Sequence, residues 1–157
     1  MKSIVITTAG VFIFLTGFIL SIRQVQKIEL TEEQMSFIRE GVTLGENPTT
    51  LEITDLSCPA CAEAANGEPS YFLHLDNHPR SNTQHAHAYC LYKVDPELYK
   101  SLHKNLYLND PKNFESYRTK DVQACLLDPA TKQRLVKENQ LALDLKIRKT
   151  PTRFRLY

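Results

Sequence analysis

Cys58 and Cys61, separated by Pro59 and Ala60, are the residues whose types and spacing point most directly to chemistry. Two thiols three positions apart can close a small disulfide or reopen as a dithiol. Pro59 suits the first position of a helix, because its missing N–H group needs no partner there. The first thiol would then lie at a helix N-terminus, which favours a thiolate. The pair therefore fits thiol–disulfide exchange, with Cys58 as nucleophile and Cys61 as resolving thiol.

Two other interpretations of this C-x-x-C pair compete with exchange. Half of a zinc site has the same spacing, and His85, His87 and Cys90 offer three more possible ligands within six residues. Histidines two positions apart do not share one face of a helix, so we predict no metal site. An inert disulfide is also disfavoured, because such staples seldom lie at a helix start behind a buried strand. The sequence has no C-x-x-C-H haem motif, and no cofactor is expected.

Hydrophobic periodicity predicts the elements that must hold the cysteine pair. The apolar stretch 51–56 is typical of a buried strand and runs directly into Cys58, while 70–76 alternates with the period of a second strand. The predicted elements are strands over 51–56, 70–76 and 153–157, and helices over 31–41, 61–66, 85–106, 119–127 and 129–147. Asp95-Pro96 should interrupt the third helix. The order strand, helix, strand, several helices, strand indicates a three-layer α/β fold.

Glu52 is an ionisable residue inside the first predicted strand, six positions before Cys58. Burying a carboxyl group costs free energy unless the group is used. Burial would favour its protonated form, so that it could take and return the proton of Cys61 during exchange. Alternation alone leaves another interpretation open, in which Glu52 faces outward from an edge strand.

Several motifs together resemble the thioredoxin superfamily, and within it the DsbA-like thiol:disulfide oxidoreductases. The specific motifs are the C-x-x-C pair and Thr150-Pro151-Thr152, which precedes the last predicted strand. The other resembling segments are 45–48, 51–57, 78–79, 124–127 and 145–147. The resemblance implies that Glu52 is the acid beneath the active site. It also implies that Pro151 is cis, and that the backbone of Thr150 binds substrate.

The resemblance further implies a domain plan and a second cysteine pair. Residues 28–157 would form a thioredoxin-like domain with a helical insertion over about 80–146. Because DsbA-like proteins often carry cysteines at the places of Cys90 and Cys125, these two should form a structural disulfide, with buried free thiols as the alternative. The sequence departs from the family after Pro151, where the usual last strand and helix are missing. The helix over 31–41, a partner chain or a truncated gene could each explain that difference.

The first part of the chain predicts a membrane segment. Residues 4–22 carry no charged side chain and are rich in Ile, Val, Phe and Leu, with Lys2 before them and Arg23 after them. Such a stretch can just cross a bilayer, and no Ala-x-Ala-like cleavage site follows it. We interpret 1–27 as a signal anchor and tether, with a cleaved signal peptide or a buried core helix as alternatives. Flanking charges barely favour either orientation, but disulfide exchange belongs in an oxidising compartment.

The sequence as a whole therefore predicts an oxidoreductase tethered to the bacterial inner membrane, with its domain on the periplasmic side. We expect it to act as an oxidant on cysteine-containing secreted or periplasmic proteins and to be recycled by a membrane redox partner. A reductase or isomerase would use the same residues, and a non-catalytic thioredoxin-fold binding module is the alternative from another class. A formal net charge of +1 offers no basic surface for nucleic acid.

The membrane segment gives the first prediction. Because 4–22 is long and lacks a cleavage pattern, the protein should fractionate with membranes, resist extraction at alkaline pH and retain Met1. Intact-mass measurement of the membrane fraction checks this. Recovery of a soluble species that begins near residue 20 would show that the segment is a cleaved signal peptide.

Overall fold

A computed structural model of the protein describes residues 26–108 and 116–156. The predicted membrane segment 4–22 lies outside these residues. Within the described ranges, every helix is too short or too polar to cross a membrane.

Five strands form a single mixed sheet, and most of the helices follow the fourth strand. The strands are β1 (Gln26–Lys27), β2 (Thr43–Leu44), β3 (Thr50–Thr54), β4 (Ser70–His74) and β5 (Thr152–Arg155), and the helices are α1 (Glu32–Arg39), α2 (Pro59–Ala64), α3 (Ser81–Val94), α4 (Pro96–Leu102), α5 (Lys120–Leu127) and α6 (Pro129–Asp144). A short 3₁₀ turn, His103–Leu106, follows α4. The predicted α/β fold with helices inserted between its halves is confirmed.

The sheet places β3 at its centre, in the order β1-β5-β3-β4-β2. β3 pairs in parallel with β4 and antiparallel with β5. Its side chains alternate between two faces, and all but the first of its residues are buried. Leu51 and Ile53 join the apolar cluster that includes Ile38 and Ala142. The opposite face packs against a second cluster, which contains Cys61 and several aromatic side chains of the insertion.

The far edge of β5 carries a strand that the sequence did not predict. β1 pairs in parallel with β5, with Gln26 opposite Phe154 and Lys27 opposite Arg155. The segment before α1 therefore pairs with the edge of β5 that would otherwise be open. β2, at the other edge, was also not predicted. Strands of two residues are too short to show a hydrophobic period, which explains why both were missed.

Capping residues fix the starts of the helices. Thr31 and Gln34 form the predicted capping box at α1: the Thr31 hydroxyl accepts from the Gln34 N–H at 3.1 Å, and the Gln34 side chain accepts from the Thr31 N–H at 2.9 Å. Asp95 breaks the helical segment as predicted and caps α4 through the N–H of Leu98. Each of these helix starts is therefore fixed by residues within three positions of the cap.

A disulfide joins two helices of the insertion. Cys90 of α3 and Cys125 of α5 are bonded with an S–S distance of 2.06 Å, and their Cα atoms lie 5.6 Å apart. Thr131, at the start of α6, donates its hydroxyl hydrogen to the Cys125 carbonyl at 2.7 Å. The disulfide thus ties α5 to α3, whose Ser81, Gln84 and His85 side chains hydrogen-bond the loop that follows β3.

Removal of this cross-link should destabilise the fold. Its loop spans 35 positions, for which the chain-entropy account gives about 3–4 kcal/mol. The variant Cys90→Ala/Cys125→Ala should lose about that much free energy of unfolding in urea titrations. Cys58→Ala/Cys61→Ala is the matched control, since it removes two thiols of a dithiol and should lose less. An equal loss in both variants would contradict a cross-linking role.

Candidate active site

The cysteine pair lies at the start of α2, just after the loop that follows β3. Cys58 is the N-cap of α2, and its carbonyl accepts from the N–H groups of Cys61 and Ala62, each at 3.1 Å. Pro59 takes the first helical position. Both cysteines are free thiols and both are buried, with Cys61 fully so and Cys58 6% exposed. The less buried of the two residues is therefore Cys58, which the sequence predicts as nucleophile.

The Thr150-Pro151 segment lies over the cysteine pair, although 92 positions separate Cys58 from Thr150. The peptide bond between Thr150 and Pro151 is cis. The Cys58 sulfur donates to the Thr150 carbonyl at 3.7 Å. The structure thus brings Thr150 and Pro151, which the sequence predicts to bind substrate, next to the predicted redox pair Cys58 and Cys61.

Cys61 has a strongly perturbed ionisation. Burial raises the pKa of Cys61 to about 11, against hydrogen bonds that favour the thiolate. Those bonds come from the backbone of Asp55 and from the side chains of Thr150 and Thr54. At neutral pH Cys61 is therefore a protonated thiol in the resting dithiol. The same three residues would favour the thiolate once it forms.

Glu52 is buried, 2% exposed, and is paired with a cation. Arg153 lies directly opposite Glu52 in the β3–β5 register and donates its Nε–H to the Glu52 carboxylate at 2.7 Å. Arg153 also donates to the Ala64 carbonyl at 2.7 Å, at the end of α2. The outward-facing interpretation of Glu52 is therefore wrong. Sequence reasoning missed Arg153, although its place two residues after Pro151 puts it across the sheet from Glu52.

Asp55 forms a buried hub behind the cysteines that sequence reasoning did not identify. Its carboxylate accepts from the Ser57 N–H at 2.8 Å, the Asn77 N–H at 3.0 Å, the His78 ring at 2.7 Å and the Ser81 hydroxyl at 2.7 Å. Burial alone would raise the pKa of Asp55, but the hydrogen bonds from His78, Ser81 and Ser57 outweigh it and lower the pKa. The Asp55 carboxylate is therefore charged, and the hydrogen bonds that it accepts hold the active-site loop in place.

His85 holds the same loop from α3. Its Nε2 accepts from the Leu56 N–H at 3.1 Å, so its Nδ1 carries the hydrogen and donates to Asp76 at 2.8 Å. Asp55 also lies near Nε2, at 3.7 Å, and the ring of His74 packs 4.5 Å from that of His85. Burial, followed by the charge of His74, lowers the pKa of His85. His85 is therefore a neutral acceptor that ties the insertion to the loop before Cys58.

The metal-ligand set considered from the sequence is not assembled. Cys90 is bonded to Cys125, and both ring nitrogens of His85 are engaged in the hydrogen bonds just described. Among residues 26–108 and 116–156, no group of three His, Cys, Asp or Glu side chains is arranged to hold a metal ion.

Comparison with known proteins places the fold. No protein-family model matches the chain, and a search of curated proteins finds no match. Oxidised BdbD from Bacillus subtilis superposes with a TM-score of 0.60 at 17% identity, covering 74% of this chain and 82% of that one. For the compact form of ScsC from Proteus mirabilis the TM-score is 0.61 at 16% identity, with 92% and 84% covered. Reduced DsbA1 from Neisseria meningitidis gives 0.50 at 18% identity, with 71% and 77% covered.

These structures are similar to the chain in fold. The chain has the thioredoxin-like fold with inserted helices, and the resemblance to DsbA-like proteins expected from the motifs is confirmed at that level.

The neutral state of His85 predicts how the stability of the folded protein changes with pH. The unfolded chain binds a proton at His85 below its usual pKa of 6.5, whereas the buried neutral ring does not, so the folded state loses stability as pH falls below that value. His85→Gln keeps a neutral side chain that can accept from Leu56 and removes this loss. Urea midpoints should therefore fall less between about pH 7 and about pH 5 in the variant than in the wild type.

The remaining buried histidine with a lowered pKa, His103 at about 4, is present in both proteins and cancels in the comparison. An identical pH dependence in wild type and His85→Gln would contradict the neutral state assigned to His85.

Proposed function

We propose that the protein is a thiol:disulfide oxidoreductase that exchanges a Cys58–Cys61 disulfide with cysteines of other proteins. One observation carries the proposal: Cys58 caps α2 beneath the Thr150 carbonyl, with Cys61 buried one helical turn behind it. A sulfur at this place can be attacked from outside, while a second thiol waits within reach to complete the exchange. The fold supports this reading, since BdbD is described in an oxidised form and DsbA1 in a reduced form.

The proposed oxidation of a substrate proceeds in two exchanges. A substrate thiolate attacks the Cys58 sulfur, a substrate–Cys58 disulfide forms, and Cys61 departs as a thiolate that takes up a proton. A second substrate thiolate then attacks the substrate sulfur of this mixed disulfide. Cys58 leaves as the second thiolate, the substrate carries a new disulfide, and the enzyme holds two thiols. Two electrons have passed from substrate to enzyme.

In this proposed cycle Glu52 is a charged group that serves the thiols as a proton acceptor. Its carboxylate and Arg153 balance each other within the sheet, and the pair spans β3, β5 and the end of α2. We infer that the carboxylate can accept the Cys61 proton when the thiolate forms. Thr150 would bind the extended substrate through its backbone while Pro151 lies against the disulfide.

We place the reaction outside the cytoplasm and in the oxidising direction. The Cys90–Cys125 disulfide supports this, because structural disulfides persist in oxidising compartments. The apolar stretch 4–22 supports tethering to the bacterial inner membrane with the domain in the periplasm. Substrates would be secreted or periplasmic proteins with free cysteines, and a membrane redox partner would restore the disulfide. A midpoint potential separates this oxidant from a reductase or isomerase.

Trapping tests the catalytic assignment. Cys61→Ala removes the resolving thiol, so covalent Cys58–substrate complexes should accumulate and vanish on reduction. Cys58→Ala/Cys61→Ala is the control and should trap nothing. The oxidised wild type should also restore disulfides to reduced, unfolded ribonuclease, which measures exchange directly.

A non-catalytic binding module of the same fold predicts a different pattern. It would give no reducible complexes with Cys61→Ala and no oxidation of ribonuclease above the rate of buffer alone. That outcome would reject the assignment, however well the cysteines are placed.

A further inference from the structure

One end of the sheet carries the redox pair, and we call it the cysteine end. β3 stops there before the loop to Cys58, and β5 begins there after Pro151. The register joins the two strands at this end, with Ile53 of β3 opposite Thr152, the first residue of β5. The Cys58 sulfur contacts the Thr150 carbonyl at 3.7 Å. The direction of every other strand can therefore be stated relative to the redox pair.

Strand β1 crosses the sheet away from the cysteine end. It pairs in parallel with β5, with Gln26 opposite Phe154 and Lys27 opposite Arg155. Because β5 starts at the cysteine end and runs away from it, its parallel neighbour does the same. The chain therefore enters β1 from the side of the cysteine end. Two strand spacings, about 10 Å, separate β1 from β3, which leads to Cys58.

The proposed membrane anchor joins the domain from this side. Only residues 23–25 lie between the apolar stretch 4–22 and β1. Even a fully extended chain reaches only about 14 Å from Ile22 to Gln26. A domain of this size is about 35 Å across, so a tether that reversed direction at Gln26 could not carry the bilayer to the opposite end of the sheet. The direction of β1 and the short tether therefore favour an arrangement in which the cysteine end faces the bilayer.

Exposed cations beside the redox pair suit a membrane surface. Arg148 and Lys149 stand immediately before the cis-proline segment, and both are exposed. Carboxylates near the same end are engaged inside the protein, since Asp55 is fully buried and Asp76 accepts from the His85 ring at 2.8 Å. Lys and Arg side chains close to a bilayer are attracted by the negative headgroups of anionic lipids. The cations next to the cysteine pair therefore complement a bilayer that contains such lipids.

We propose that the anchor holds the cysteine end of the sheet towards the bilayer, so that Cys58 exchanges disulfides with cysteines that lie close to the membrane surface. The inference rests on the proposed function and on its membrane tether. It names the class of partner, which is a membrane-bound protein whose cysteines stand a few residues outside the bilayer.

Exchange with a membrane-bound thiol tests the proposal. Full-length Cys61→Ala is linked through Cys58 to 5-thio-2-nitrobenzoate and reconstituted, with its domain outside, in vesicles of phosphatidylcholine and phosphatidylglycerol. A peptide that spans the bilayer carries one cysteine on a stalk of about 4 or about 30 residues, which reach about 14 Å and about 100 Å when extended. The peptide thiolate attacks the Cys58 sulfur, the disulfide to 5-thio-2-nitrobenzoate breaks, and the coloured thiolate leaves.

The short stalk should release the coloured thiolate about three- to tenfold faster than the long stalk, because effective concentration falls as a flexible stalk lengthens. If the cysteine end faced away from the bilayer, the short stalk could not reach Cys58 and the long stalk alone would react. Soluble peptides with the same two stalks and no membrane helix are the matched controls and should react at equal rates. A short stalk that reacts no faster than the long one would overturn the proposal.

Fluorescence quenching measures the orientation without any exchange. In full-length Cys58→Ala/Cys61→Ala, Ala60→Cys places a dye at the cysteine end, and Glu46→Cys places the same dye at an exposed position of the loop between β2 and β3. This loop lies at the opposite end, because β2 ends opposite Ser70, the first residue of β4. Lipids with a spin label on the headgroup should quench the dye at position 60 more strongly. Equal quenching, or stronger quenching at position 46, would overturn the proposal.

The possible outcomes separate this inference from the proposed function. If neither soluble peptide releases the coloured thiolate from Cys58, the exchange activity and the inference both fail. If the soluble peptides react and the short membrane stalk is not preferred, the orientation alone fails. Recovery of a mature protein that lacks 4–22 would remove the tether and overturn the inference, while leaving the exchange activity intact.

Discussion

Cys61 is removed from water, yet in the proposed cycle it must carry a full negative charge, and the surrounding structure has to reconcile these demands. Burial raises the pKa of Cys61 to about 11, which protects the resting dithiol from ionisation. Hydrogen bonding from Asp55, Thr150 and Thr54 acts in the opposite direction and lowers that pKa. These three lie on a loop, on a segment remote in sequence and on the central strand. Each must be held in place by other parts of the fold.

The insertion holds much of this arrangement. Asp55 can present its backbone to Cys61 only if the loop after β3 is fixed, and that loop is held by the Asp55 carboxylate and by His85. His85 comes from α3, and α3 is cross-linked to α5 by the Cys90–Cys125 disulfide. The disulfide of the insertion therefore supports the geometry of the redox pair without contacting it. The inserted helices therefore help to hold the loop that carries the cysteine pair.

Local sequence signals predicted the parts of the fold that depend on local physics. The C-x-x-C pair with Pro59, the capping box at Thr31 and the break at Asp95 are each decided within a few residues, and the structure has them as expected. Side-chain partners were a different matter. The hub at Asp55 and the acceptor nitrogen of His85 depend on how distant elements pack, and a single sequence holds no periodic signal for such contacts. Strands β1 and β2 were missed because two residues form no pattern.

The Glu52–Arg153 pair shows why the register of a sheet matters for the chemistry. A lone carboxylate in β3 would be costly to bury. The antiparallel register of β5 sets Arg153 opposite Glu52, at 2.7 Å, so the sheet carries a balanced pair in place of an isolated charge. Since Arg153 also binds the Ala64 carbonyl, the strand that follows Pro151 is tied to the helix that carries Cys61. A one-residue slip of β5 would turn Arg153 to the other face and leave Glu52 without its cation. The contact of Thr150 with the Cys58 sulfur and the pairing of Glu52 with Arg153 are thus fixed by the same pairing of strands.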